Sequence, residues 1–235
     1  MDITTCLVGL ASGRTDLAVD LSALPGGALA IDQHGMSALA WCAHHGDLTA
    51  MRLLLAAGAR RSDLGTDLGL RAASFHGHER VVDWCLAQGA DPRSFDEASG
   101  ETPLHAALCR ANRPAQERIA LRLIAAGADV GARTLPGARL DSFMRDVTAC
   151  GETALHRAAA FASVAVLDGL LAAGASREAL DANGQSALAW ASWHLRPDDV
   201  LRRLCYGTHS IHPRRRGSYD HGAGWSHGEL AGPSG

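Results

Sequence analysis

Short apolar runs follow one another along most of this 235-residue chain, and they come in pairs. The first run of each pair places a leucine two residues past its start and mostly small residues, chiefly alanine, five and six residues past it, which puts them on one face of a helix. The second run is richer in leucine and valine and ends in a glycine, a residue that favours a left-handed helix cap. The pattern therefore predicts pairs of short amphipathic helices.

The clearest helix start lies at residues 102–107, which read TPLHAA. Thr102 is a good N-cap because its hydroxyl can accept a backbone N–H that the helix leaves unpaired. Pro103 follows at the first helical position, where its missing N–H costs nothing. Weaker copies of this start read GMSALAWCA, LGLRAAS, GETALHRAA and GQSALAWA, and they begin at residues 35, 68, 151 and 184. The chain therefore contains an internal repeat.

The spacing of the copies identifies the kind of repeat. Helix starts at positions 37, 68, 102, 153 and 186 are separated by 31, 34, 51 and 33 residues. A period of about 33 residues built from two short helices is typical of a stacked helical solenoid. The copies resemble the ankyrin repeat family, whose pattern runs DxxGxTPLHxAAxxGHxxVVxLLLxxGAD, over about residues 32–208. The resemblance implies an all-α ankyrin-repeat solenoid of stacked helix–turn–helix units with projecting turn fingers.

The repeats divide the chain into a predicted series of units. Residues 1–31 keep a two-helix rhythm without the TPLH start, and we interpret them as a degenerate N-terminal capping repeat, since terminal repeats are usually atypical. Residues 209–235 are rich in Gly, Ser, His and Arg and lack a core-forming pattern, so we predict a disordered tail. The ankyrin repeats are predicted at residues 32–62, 63–95, 96–133, 147–180 and 181–208.

The largest departure from the period is an insertion at about residues 133–150. We expect it to project as a finger from the turn edge of the stack, between the third and fourth repeats. It contains Phe143 and Arg145, and such side chains often contact protein partners. Insertions at repeat turns are also commonly tolerated without a function, so a functional finger and a neutral insertion both stay open.

Composition narrows the classes of partner. A formal net charge of −3 argues against a nucleic-acid surface, and no apolar run reaches the length of a membrane span. The N-terminus lacks the basic segment of a signal peptide, and six scattered cysteines without a CxxC favour reduced thiols in the cytoplasm. Cys109 and Cys150 are the candidates for an exposed functional thiol. All 22 basic residues are arginine, a usage that suggests a GC-rich bacterial genome. We expect a monomer that binds neither nucleic acid nor membrane.

Twelve histidines raise the question of metal or catalytic chemistry. No HExxH, GxSxG, GxxxxGK[ST] or Cys/His quartet spacing is present, so we expect no enzyme activity, no cofactor and no bound metal. His105 and His156 fill the TPLH position, where the resemblance implies structural hydrogen bonds to neighbouring turns. Two alternatives stay open. One is a metal-dependent enzyme or metal-binding protein that uses surface His and Cys, and the other is an inhibitor or immunity-type partner of a neighbouring gene product.

The resemblance implies a non-catalytic module that binds an unidentified protein through a concave groove and the turn fingers. Positions seven and eight of the first helix, counted from the helix start, line that groove in ankyrin repeats. We name these ten positions the groove face. They are His44, His45, Phe75, His76, Cys109, Arg110, Ala160, Phe161, Trp193 and His194.

The groove face is rich in rings, although aromatic residues form only 5% of the chain. Aromatic and arginine side chains are the usual anchors of protein interfaces, and we expect Phe75, Phe161 and Trp193 to be exposed. Unperturbed imidazoles become charged near pH 6, so binding should shift between about pH 7.5 and about pH 5.5. The predicted partner contacts are His44, His45, Phe75, His76, Arg110, Phe161, Trp193 and His194 on the groove face, with Phe143 and Arg145 in the insertion.

Position four of the first helix adds a further set of side chains. The helical wheel places it opposite the core face, on the same outward side as positions seven and eight, although the resemblance implies that position four often packs between repeats. It holds Trp41, Arg157 and Trp190 in three of the repeats. The two tryptophans could instead fill gaps between neighbouring repeats, and that alternative stays open.

Overall fold

The computed structural model describes residues 2–140 and 148–205. The predicted disordered tail and the predicted contacts Phe143 and Arg145 lie outside these ranges. Within them the chain forms twelve α-helices, four isolated β-bridges and no strand. The helices are α1 (Ile3–Ala11), α2 (Ala18–Ala23), α3 (Ala38–His44), α4 (Leu48–Ala56), α5 (Leu70–His76), α6 (Glu79–Ala87), α7 (Pro103–Ala107), α8 (Pro114–Ala125), α9 (Ala154–Phe161), α10 (Val164–Ala172), α11 (Ala187–Trp193) and α12 (Asp198–Leu204).

The helices form two packed layers, and the all-α solenoid predicted from the repeats is confirmed. The first helices of the pairs, α1, α3, α5, α7, α9 and α11, pack one on the next and form one layer. In the second layer α2 packs on α4, and α6, α8, α10 and α12 pack in succession. Each first helix also packs on the second helix of its own pair, so a continuous core of mainly Leu, Ala and Val lies between the layers. Because each unit contacts only its neighbours, the outer side of the first-helix layer stays accessible along the stack.

Ser and Thr side chains begin the first helix in four of the five repeats. Ser37 and Ser186 accept the backbone N–H three residues further on, at 3.0 and 3.2 Å. Thr102 and Thr153 form capping boxes with the histidine of the TPLH position. Nε2 of the second of these histidines, His156, lies 2.9 Å from a backbone carbonyl in the next repeat's turn. The imidazole therefore joins consecutive repeats as well as capping its own helix.

The second repeat begins its first helix in a different way. Its Asp67 carboxylate accepts the backbone N–H groups of Gly69 and Arg71, at 2.9 and 3.0 Å. Leu68 and Gly69 both adopt left-handed backbone conformations, with φ of 53° and 77°. An aspartate thus replaces the missing threonine as the cap of α5. Leu70 still reaches the core, where it is fully buried.

Aspartates organise the turns that precede α3 and α11. Asp32 accepts two N–H groups of its own turn at 2.8 and 2.9 Å, and Asp181 does so at 2.9 and 2.6 Å. The tryptophan at position four donates its indole N–H to the same aspartate at 3.0 Å, from Trp41 to Asp32 and from Trp190 to Asp181. Trp190 also meets the ring of His156 in the preceding repeat edge-on, with centroids 5.6 Å apart. These tryptophans therefore tie the turns to the first helices.

The two described arms of the insertion run between the neighbouring turns. An isolated bridge pairs Arg139 with Thr148, one residue on each arm. The N–H of Leu135 donates to a carbonyl of the preceding turn at 2.7 Å, and the N–H of Ala182 in the following turn donates to the Cys150 carbonyl at 2.7 Å. Residues 141–147, between the arms, lie outside the described ranges.

Arg157 contradicts the outward placement of position four, because it is fully buried. Its guanidinium lies 2.8 Å from a Glu101 oxygen and 2.7 Å from a Glu152 oxygen, and it donates to the His105 carbonyl at 2.7 Å. Burial alone would raise the pKa of Glu152, but the Arg157 charge and the hydrogen bond from Thr134 lower it to about 2. The helical wheel fails here because the neighbouring repeat covers the position and supplies a carboxylate. The arginine thereby joins the third repeat to the fourth.

Candidate functional site

The groove-face residues fall into two groups along the first-helix layer, joined by buried positions. Cys109 and Ala160, between the groups, are only 6% and 4% exposed. The N-terminal group consists of His44, His45, Phe75, His76 and Arg110. The C-terminal group consists of Phe161, Trp193 and His194.

Four histidines of the first and second repeats contact one another at the N-terminal end. We name His44, His45, His76 and His78 the imidazole cluster. The ring centroids are 5.0 Å apart for His44 and His45, 4.6 Å for His44 and His76, and 5.5 Å for His76 and His78. Trp41 stacks on His45 with centroids 6.1 Å apart. His78 was not among the predicted contacts, although it stands in the GH dipeptide of the repeat pattern.

Two members of the imidazole cluster are engaged with the backbone of the preceding repeat. His78 Nε2 lies 2.8 Å from the His44 carbonyl, and His45 Nε2 lies 3.3 Å from the Ala11 carbonyl. A side chain at Gly46 would meet the His78 ring, since a Cβ there would lie 2.5 Å from it, and the φ of Gly46 is +75°. These imidazoles therefore cap the C-terminal ends of α1 and α3 and have a structural task of their own.

Two members of the imidazole cluster, His44 and His76, have lowered pKa values. Partial burial, together with the nearby His44, His78 and Arg110, lowers the pKa of His76 to about 4. Burial, with the neighbouring imidazoles His45 and His78, also lowers the pKa of His44. The expectation that all these rings become charged near pH 6 is wrong for His44 and His76. A positive charge on His44 or His76 is disfavoured because neighbouring basic side chains would repel it.

Arg110 stands at the centre of the groove face, just beyond the end of α7. It is exposed, and its Cζ lies 4.8 Å from the centre of the Phe75 ring. Phe75 itself is half-buried and meets His76 edge-on at 4.9 Å. A guanidinium at this distance from a phenyl ring makes a cation–π contact. The contact orients Arg110 while leaving its N–H groups accessible.

The C-terminal end of the groove face is apolar and projects into solvent. Trp193 is 73% exposed, although it lies in α11, and Leu195, two residues later, is 91% exposed. We name these two residues the apolar knob. Beside it, the half-buried Phe161 meets the exposed His194 edge-on, with centroids 4.9 Å apart. The knob thus combines two large apolar side chains with a flanking aromatic pair.

Leu195 was missed by the sequence prediction, and its backbone is the reason that it stands out. Its φ is +51°, a left-handed conformation that costs a branched side chain energy. The first and second repeats place Gly46 and Gly77 at the same position, nine residues past the helix start, with φ of 75° and 80°. Alignment of the repeats could have identified Leu195 as unusual, because it replaces a glycine where the backbone is left-handed.

The described residues offer little support for metal or thiol chemistry. In residues 2–140 and 148–205, no three His, Cys, Asp or Glu side chains are placed to hold a metal ion. The expectation that Cys109 is exposed is wrong, because its side chain is buried. Burial raises the pKa of Cys109 to about 11 and that of Cys150 to about 12. Neither thiol therefore forms the thiolate that a nucleophile needs near neutral pH.

The described part of the chain contains no helix that could span a membrane. None of the twelve helices is both long and apolar enough to cross a bilayer. The longest of them, α8, has 12 residues, whereas a span needs about 20 apolar residues.

Comparison with protein families gives two overlapping matches. Residues 70–116 match the family described as ankyrin repeats (many copies), and residues 99–135 match the ankyrin repeat family. The first match begins with α5 and ends within α8, and the second extends from the turn before α7 to the first arm of the insertion. The matches therefore cover the second and third repeats. A comparison with curated proteins finds no match.

Proposed function

Because this chain is an ankyrin repeat protein, and ankyrin repeats are generally protein–protein interaction modules, we propose that it is a non-catalytic module that binds a protein partner along the groove face. The proposed contacts are the residues predicted from the repeat register, with Leu195 and His78 added. The apolar knob would be the main anchor. Phe143 and Arg145 in the insertion remain predicted contacts outside the described residues.

The apolar knob is the observation that supports this proposal. A leucine that is 91% exposed contributes little to the core, and a left-handed leucine costs roughly 1–2 kcal/mol. Backbone strain of this kind is concentrated at functional sites, where binding rather than folding gives the residue its value. An exposed tryptophan two residues away supplies the side chain that most often dominates a protein interface. Neither residue has an evident structural reason to be large and apolar.

The test begins with affinity capture from cells of the source organism, using the full chain as bait. The captured partner is then purified, and its affinity is measured for the full chain and for Phe161→Ala, Trp193→Ala and Leu195→Ala variants. We expect the Phe161→Ala and Trp193→Ala changes each to weaken binding at least about tenfold, since an aromatic anchor can contribute about 2 kcal/mol or more. Thermal melting should be nearly the same for the parent, Trp193→Ala and Leu195→Ala, whereas Phe161→Ala, at a half-buried position, should melt at a lower temperature.

Val19→Ala is the matched control, because Val19 is 61% exposed on α2, in the other layer. It removes an exposed apolar side chain without touching the groove face. We expect it to leave affinity unchanged within about twofold. Binding that is equally sensitive to Val19→Ala, or that is insensitive to Trp193→Ala, would contradict the proposed site.

A further inference from the structure

Acidic side chains are sorted between the two layers of helices. In the described chain, the six first helices contain no Asp or Glu within their bounds. The second helices contain seven acidic residues. These are Asp20, Glu79, Asp83, Glu117, Asp168, Asp198 and Asp199. The protein as a whole has a formal net charge of −3, so the first-helix layer differs sharply from the average of the chain.

Arginines of the second layer are largely neutralised by these acids. Arg118 lies 2.6 Å from Glu79, Arg122 lies 2.9 Å from the same carboxylate, and Arg203 lies 2.9 Å from Asp168. These ion pairs connect the second helices of consecutive repeats. The paired arginines are those of α8 and α12, whereas the exposed Arg52 of α4 and Arg80 of α6 form no ion pair in the described part of the chain.

The arginines on the first-helix side of the stack differ in whether they have an acidic partner. Buried Arg157 is held between two carboxylates, and Arg71 lies 3.4 Å from Glu101. Arg110, by contrast, forms no ion pair with any acidic side chain in residues 2–140 and 148–205. Its exposed guanidinium lies on the Phe75 ring, and its charge is one cause of the lowered pKa of His76. Among the described residues, the middle of the groove face thus carries an oriented positive charge without an acidic partner.

We propose that the groove face recognises an acidic segment of its protein partner, with a carboxylate on Arg110 and an apolar side chain on the apolar knob. This inference rests on the proposed function and specifies the partner's chemistry. The planar guanidinium offers a fork of N–H donors that matches a carboxylate, and stacking on Phe75 holds the fork in place. The absence of Asp and Glu from the first helices removes the repulsion that such a segment would otherwise meet.

The spacing of the two contacts follows from the stack. Packed helices lie about 10 Å apart, and α7 and α11 are two steps apart in the first layer, so Arg110 and the apolar knob are separated by roughly 20 Å. An extended chain advances about 3.3–3.6 Å per residue. The acidic and apolar residues of the partner should therefore stand about six positions apart. Arg110 is the one arginine among the ten groove-face positions, and one cation favours a carboxylate over a polyanion, because nucleic acids need several cations along their backbone.

The experiment selects binders to the full-length chain from a displayed library of random peptides of about 16 residues. We expect the selected peptides to be enriched in Asp and Glu and to carry a large apolar residue about six positions from an acid. Affinities of the synthesised peptides are then measured on the Arg110→Glu variant and on Arg110→Gln, which removes the charge without reversing it. Thermal melting of both variants checks that they fold.

Arg52→Glu is the matched control, because Arg52 is an exposed arginine of α4 with no ion pair in the described chain. We expect Arg110→Glu to weaken binding at least about tenfold, Arg110→Gln to weaken it less, and Arg52→Glu to change it less than about twofold. Raising the salt concentration should weaken binding to the unmodified chain, since the contact on an exposed arginine is screened.

Different outcomes separate this inference from the proposed function. Peptides without acidic enrichment that still lose affinity on Trp193→Ala would overturn the acidic partner and leave groove binding intact. Peptides that respond to neither Trp193→Ala nor Arg110→Glu, or a selection that yields no binder, would contradict both. Displacement of the peptides by a single-stranded oligothymidylate at comparable concentration would show a general anion surface and overturn the assignment to protein.

Discussion

The two ends of the groove face use equivalent helix positions for opposite purposes. At the N-terminal end, His44 and His45 occupy positions seven and eight, and their rings contact each other, Trp41 and the next repeat. At the C-terminal end, Trp193 and His194 occupy the same positions, and Trp193 is 73% exposed. The repeat register therefore sets the position of a side chain on its helix, but it does not determine whether a neighbouring repeat covers that side chain.

The largest change in stability is expected at the buried Arg157 ion pairs, which connect the third repeat to the fourth. Arg157→Ala should destabilise the protein by about 3–5 kcal/mol, because it leaves two buried carboxylates without their cation. Chemical denaturation of the full chain measures this loss. The triple change of Arg157→Met with Glu101→Gln and Glu152→Gln should recover much of the stability. A single Arg157→Ala variant as stable as the parent would mean that the carboxylates are not buried as described.

Two tryptophans of α11 test the comparison inside one helix. Trp190→Phe should cost about 1–2 kcal/mol, because the indole N–H bonds the buried Asp181. Trp193→Phe, the matched change three residues later, should cost less than about 0.5 kcal/mol, as expected for a surface residue. Denaturant unfolding of both variants measures the difference. Equal costs would show that Trp193 is packed and would remove the apolar knob from the site.

Leu195→Gly should separate stability from binding. Glycine adopts the left-handed conformation without strain, so the protein should become more stable by up to about 1 kcal/mol. Affinity for the partner should fall at the same time, because half of the apolar knob is removed. Melting temperature and partner affinity, measured on the same preparations, check both signs. A variant that loses stability would show that the Leu195 side chain packs on the protein.

The smallest effect is expected at the imidazole cluster, where the pH dependence of stability tests whether His76 is partly buried. The pKa of His76 is about 4 in the folded protein because burial and nearby cations disfavour its charged form, whereas an unfolded histidine titrates near 6.5. The unfolded state therefore binds more protons in this window. The stability contributed by neutral His76 is present above about pH 6.5 and is lost as pH falls toward about 4.

His76→Gln should reduce this pH dependence, since glutamine does not titrate. Melting temperatures from about pH 7.5 down to about pH 4.5 measure it. His34→Gln is the control, because His34 is exposed in the turn before α3 and lies outside the imidazole cluster. Equal pH profiles for His76→Gln and the parent would show that His76 titrates as it does in the unfolded chain.

The repeat, the helix pairs and the order of the stack were all predicted from the sequence. These follow from local rules: Thr102 and Thr153 cap their helices as their position predicts, and leucines two residues past the helix starts reach the core. Such features depend on neighbours within a few positions in the chain. Even the missing threonine of the second repeat has a local replacement, since Asp67 caps α5 from two residues before its N-cap.

Which side chains on the accessible side of the first helices are covered depends on contacts between repeats, and these contacts exist only in the folded stack. Arg157 looks outward on a helical wheel, but a glutamate 56 residues earlier in the chain completes its buried ion pair. His76 looks like an ordinary histidine, but its partial burial and the nearby rings of two repeats lower its pKa. Burial and electrostatics sum over groups that are distant in sequence, and a pattern of spacing within one repeat does not contain them.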